Sequence, residues 1–145
     1  MTIHTPRRLA TLGFAAAIAL AAAPAAFAAD VALKAAMDGA HEVPGPGDAD
    51  GSGVATLQVS DLKVCYELTA HHIDAATAAH IHKGAAGAAG PVVVPLTPPT
   101  AEPSKGCADI DHALAADLKA HPEAYYVNVH TAPFPAGAVR GQLHK

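Results

Sequence analysis

The stretch GVATLQVSDLKVCYELTAHHI, Gly53–Ile73, alternates twice. In its first half Ala55, Leu57 and Val59 fall on one side of an extended chain, and Thr56, Gln58 and Ser60 on the other. In its second half Val64, Tyr66 and Leu68 share a side. A period of two marks strands with one face on a core and the other turned away from it. The two runs meet at Ser60–Lys63, a polar turn of hairpin length. The stretch therefore predicts an antiparallel strand pair, and the rest of the chain must be built around it.

Working outward, VALKAAMDG (Val31–Gly39) reads as a first strand and HEVPGPGDADGSG (His41–Gly53) as a loop. Downstream, TAAHIHKG and GPVVVPL read as two more strands, the second ending at Pro95. LTPPTAEPSKG (Leu96–Gly106) is a proline-rich loop by composition. DIDHALAADLKAHP (Asp109–Pro122) predicts the single helix. Asp109 or Asp111 caps it, Leu114 and Leu118 are spaced i, i+4, and Pro122 stops it. AYYVNVHT (Ala124–Thr131) and Ala138–Leu143 complete the strands. Seven or so short strands with one helix in a crossover loop predict a mainly β protein, an antiparallel β-sandwich.

The first residues predict export. Arg7 and Arg8 precede an apolar, alanine-rich run from Leu9 to Phe27, and Ala26-Phe27-Ala28 places small residues where a signal peptidase reads. Residues 1–28 thus read as a cleaved signal peptide and residues 29–145 as one domain, destined for the periplasm or the extracellular space. The arginine pair matches a twin-arginine signal poorly, so the export route stays open. No second apolar span follows, so no membrane span is expected after cleavage. Losing Arg7 and Arg8 takes the net charge from −4 to −6, and an acidic chain without a basic stripe is not a nucleic-acid binder. Cys65 and Cys107, two cysteines in an exported chain, predict one disulfide closing a loop of about forty residues.

The alternation also orients the histidines. Ala79 and Ile81 share one face of their strand, which puts His80 and His82 on the other; Val127 and Val129 put Tyr126, Asn128 and His130 on the other face of theirs. Two imidazoles two residues apart can converge on one ion, and a neighbouring strand about 4.8 Å away can bring the third. Neutral imidazole suits copper and zinc. A chain this rich in histidine carries roughly 0.7 His-x-His pairs by chance, so the evidence lies in the shared outward direction of all three. Glu42, His41 and His72 are candidates for an additional ligand. Catalytic residues are harder to find. Ser52, Ser60 and Ser104 lack a nucleophile-elbow context. KGAAGAAG lacks the lysine and hydroxyl that end a phosphate loop and reads as a tight turn.

EVPGPGDADGSGVATLQV, AAHIHKGAAGAAGPVVVPL and YYVNVHTAPFPAGAVRGQL occur in the order and spacing of the motifs of the CHRD domain, named from chordin and found also as small secreted bacterial proteins. The resemblance runs from about Val31 to Leu143. It implies a Greek-key or immunoglobulin-like sandwich but no settled activity. The motif histidines fall on His80, His82 and His130, the first-loop glutamate on Glu42, and the final motif on Arg140, Gly141 and Gln142. His41, His71 and His72 lie outside the family pattern. The chain is also loosely similar to copper–zinc superoxide dismutases, in its His-x-His pair, later histidine and disulfide. Between Lys83 and Gly106 there is neither histidine nor aspartate, so the bridging and zinc ligands are missing. This likeness implies a copper-type site and not dismutase activity.

Two functions follow. In one, the protein binds a copper ion, in preference to zinc, at His80, His82 and His130; redox chemistry at that ion is the only enzymatic option. In the other it is a non-catalytic extracellular interaction module without metal, with an unknown protein partner. There the same histidines, with Asn128 and Arg140, fasten loops.

Overall fold

A computed structural model of the chain describes Met1, residues 29–100 and residues 102–145. The expected signal peptide, residues 1–28, lies outside them except for Met1. The described residues form eight strands: β1 (Val31–Asp38), β2 (Ser52–Val59), β3 (Lys63–His71), β4 (Ala76–Lys83), β5 (Val92–Leu96), β6 (Ser104–Asp109), β7 (Tyr125–Thr131) and β8 (Val139–Gln142). One helix, α1 (His112–Ala120), and a 3-10 turn (Pro122–Ala124) connect β6 to β7.

All pairings are antiparallel and run in one ladder, β5-β4-β7-β8-β1-β2-β3-β6. The two edge strands, β5 and β6, lie against each other, so the sheet nearly closes into a barrel. Hydrogen bonds stitch that seam: Ser104 Oγ–H donates to the Thr97 carbonyl, and Thr97 N–H donates to the Tyr66 hydroxyl. The expected antiparallel β class is present. The pairing, however, is one continuous ladder and is not divided into two facing sheets.

Alternation drives the closure. β1 turns Leu33, Ala35 and Met37 inward, β2 Ala55, Leu57 and Val59, and β3 Val64, Tyr66 and Leu68. Ile81, Val127 and Val129 complete the same core from the other half of the ladder. Each fully buried aliphatic side chain contributes about 1.5–3 kcal/mol relative to exposure, so an interior lined by a dozen of them is the main force holding the sheet closed. The β2–β3 turn lies where the alternation broke, with Ser60 N–H donating to the Lys63 carbonyl at 2.9 Å.

Two elements depart from the sequence reading. β5 runs one residue past Pro95, which is tolerated because this is an edge strand with no ladder bond to lose on its outer side. The loop expected over Leu96–Gly106 ends early, at β6, whose residues SKGCAD show no apolar alternation. β6 is held by its backbone pairing to β3 and by the Cys65–Cys107 disulfide, which joins directly opposed residues. Helix α1 is accordingly shorter than expected. Asp111 caps it, accepting a hydrogen bond from Leu114 N–H at 2.8 Å, and Pro122 follows its end. Ala115 and Leu118 bury its inner face, and Asp117 ties it to the sheet through Lys83 and Tyr125.

Candidate metal centre

The outer face of β4, β7 and β8 carries the candidate site. Register fixes its layout. His82 lies opposite Tyr126, which lies opposite Gln142; His80 lies opposite Asn128, which lies opposite Arg140; His130 lies opposite Ala78. His80 and His130 are therefore diagonal neighbours across the β4–β7 pair. Among the described residues these three histidines offer one nitrogen each within 4.8 Å of one another. Ligands about 2.0–2.1 Å from one ion sit roughly 3.3–3.6 Å apart, so a small swing of the rings brings all three onto it.

The hydrogen bonds set which nitrogens are free. His82 Nδ1 lies 2.8 Å from the Gly90 carbonyl, which can only accept, so Nδ1 carries the proton. His82 Nε2 then holds a lone pair. It is buried and has no hydrogen-bond partner. His130 Nδ1–H donates to the Pro135 carbonyl at 3.1 Å, which leaves its Nε2 as the acceptor for His80 Nδ1–H, 3.1 Å away. His82 Nε2 and His130 Nε2 therefore hold lone pairs, while His80 Nδ1 carries the proton of this bond and must lose it to Nε2 before it can serve as a ligand atom. Burial first, then the neighbouring histidines, lower the pKa of His80. His130 is lowered chiefly by burial, against its bond to Pro135. Both are held toward the neutral form that a metal needs.

This outer face is not open to solvent, as the alternation alone implied. Loops cover much of it, and Tyr126, Asn128 and Arg140 are as buried as core residues. The glycine-rich segment 84–90 folds over His82 and Tyr126. Gly90 packs so close to the Lys83 carbonyl that a Cβ there would collide with it; that approach aims the Gly90 carbonyl at His82. Arg140 Nη2 donates to the carbonyls of Ala85 and Ala88, both at 2.9 Å, and its guanidinium lies 3.4 Å from the centre of the Tyr126 ring. Tyr126 in turn stacks on His82, with centroids 4.8 Å apart and planes 10° from parallel. Gln142 Nε2–H donates to the carbonyls of Gly84 and Glu123.

The additional candidates lie apart from the three-histidine group. Glu42 is buried against Gly137, whose φ of +149° and lack of a Cβ admit the carboxyl group. Burial pushes its pKa to about 7, against the Val43 N–H hydrogen bond and the charge of Arg140. His41 Nδ1 is bonded to Asp38 at 2.6 Å. His72, at φ 56°, lines a cavity of about 640 Å³ at one end of the barrel with His71 and Asp74. Asn128 Oδ1 is buried without a partner, while Arg140 does fasten the glycine-rich loop. Tyr126 and Gly90 escaped the sequence reading as site residues. The register of β7 against β4, which sets Tyr126 beside His82, is the signal that points to the first of them.

No curated protein and no solved structure matches the chain. The family model described as CHRD domain matches residues 33–143, nearly all of the described strands, and the chain belongs to the CHRD domain family.

Proposed function

We propose that this protein is an exported CHRD domain that binds a copper-type divalent ion through His80, His82 and His130. The observation that carries the reading is His82 Nε2. It is buried, unpartnered, and fixed in its lone-pair form by the Gly90 carbonyl, an arrangement in which a ligand is oriented before its ion arrives. Thiolate and thioether donors are not at hand: both cysteines are in the disulfide and Met37 is in the core. Three imidazoles alone favour Cu(II), with Zn(II) next in affinity. Placement outside the cell or in the periplasm is supported by the leader-like residues 1–28 and by the disulfide, which fits an oxidising compartment.

Titration of the protein with Cu(II) tests the reading. One ion per chain is expected, with affinity falling at least 100-fold in His80→Ala and in His130→Ala while the circular dichroism of the sheet persists. Equal binding by both variants would overturn it.

A second reading has its own observation. Arg140, 1% exposed, fastens the glycine-rich loop, as a metal-free interaction module would require of this motif. On that reading the loops are the recognition surface, and the protein would take up no ion from Cu(II) or Zn(II) solutions.

A further inference from the structure

The three histidines do not hold themselves in place. The His82 tautomer depends on one carbonyl, Gly90, at the end of a seven-residue loop with few contacts of its own. That loop is anchored from below. Arg140 reaches from β8, two strands away from β4, and its Nη2 takes the carbonyls of Ala85 and Ala88 at once. The same guanidinium presses on one ring, Tyr126, that stacks on His82 and whose hydroxyl accepts the Gly90 N–H at 3.3 Å. Arg140 therefore meets His82 by two routes. One runs through the loop to the Nδ1–H hydrogen bond, the other through the Tyr126 ring to the imidazole plane.

We propose that Arg140 is the positioning residue of the metal centre, which selects the Nδ1–H tautomer of His82 and so makes Nε2 its ligand atom, without touching the ion. A lysine cannot replace it. An ammonium does not stack flat on the tyrosine ring as the guanidinium does. The proposal rests on the metal-binding reading for its purpose, but the tautomer it describes belongs to the metal-free protein and is measured there.

The test is nitrogen–proton correlation NMR of the imidazole rings in the metal-free protein, for wild type, Arg140→Gln and Arg140→Lys, followed by Cu(II) titration of each. In wild type His82 is expected as the Nδ1–H tautomer with a slowly exchanging ring proton. In Arg140→Gln the two tautomers should mix and that proton should exchange fast. The Cu(II) affinity should fall about 10- to 100-fold, as for other groups that orient ligands, with altered nitrogen hyperfine couplings. Arg140→Lys keeps the charge and most of the stem and carries the test if the glutamine variant does not fold; it should show the same mixing. Wild-type His82 protonated on Nε2, or a folded variant with its tautomer unchanged, would overturn the proposal. Tautomer mixing in the variants with no Cu(II) taken up by wild type would keep the positioning role and remove the metal reading instead.

Discussion

At the scale of the residue, the outer face of this sheet is a set of buried polar groups whose states are set by neighbours. Glu42 gives the clearest consequence. Its carboxyl has an ordinary pKa of 4.5 and is held near 7 by burial. Below 4.5 it is protonated whether the chain is folded or not, and burial costs nothing in ionisation. Between 4.5 and 7 the unfolded chain loses the proton while the folded one keeps it, so the folded state binds more protons and stability falls as pH rises. Across that window the fall is about 3 kcal/mol, and above 7 the curve is flat in this group. Urea denaturation at a series of pH values should show the decline in wild type. In Glu42→Gln, which has no proton to lose, the decline should be absent.

At the scale of the element, β6 and α1 show how local chemistry substitutes for apolar patterning. β6 brings only Ala108 to the core, so its backbone pairing and the disulfide to β3 are its main fastening. With the cysteines 42 positions apart, reduction or a Cys65→Ala/Cys107→Ala double variant should cost about 2–4 kcal/mol. The histidines sit on β4 and β7, neither of which pairs with β6, so the proposed Cu(II) binding should survive the same change. Calorimetry with and without reductant separates the two effects. Asp111→Ala, which removes the cap of α1, should cost about 1 kcal/mol in thermal unfolding and leave the metal centre untouched.

These elements also mark what could be read in advance. The alternation in Gly53–Ile73 and in Tyr126–His130 could be read directly, because there one face enters an apolar interior and sequence period reports burial. SKGCAD could not, because an edge strand held by backbone and a disulfide needs no period. The shared outward direction of the three histidines could be read from strand alternation, but the pairing of β4 with β7 that brings them together could not. The burial of Tyr126, Asn128 and Arg140 could not, because it arises from loops folded back over the sheet, and no pattern within a strand records what another segment lays upon it. Arg140 was legible as a fastening residue only through the family motif; its stack on Tyr126 required the register.

At the scale of the whole molecule, a nearly closed antiparallel barrel supplies a rigid outer wall, and loops roof one patch of that wall to hold three imidazoles. The core and the three-histidine group use opposite faces of the same strands, β4 and β7. Core truncation should therefore reach the site only through global stability. Leu57→Ala, on β2, is expected to cost about 2–5 kcal/mol by denaturant titration while the folded fraction keeps its Cu(II) affinity. The claim that joins these scales is that the patch holds an ion in the cell. Elemental analysis of the protein recovered from the organism that makes it, without a histidine tag, tests it most directly. Close to one copper per chain, lost in a folded His80→Ala/His130→Ala variant, is the expected result. Protein that comes out metal-free and takes up neither Cu(II) nor Zn(II) would contradict it.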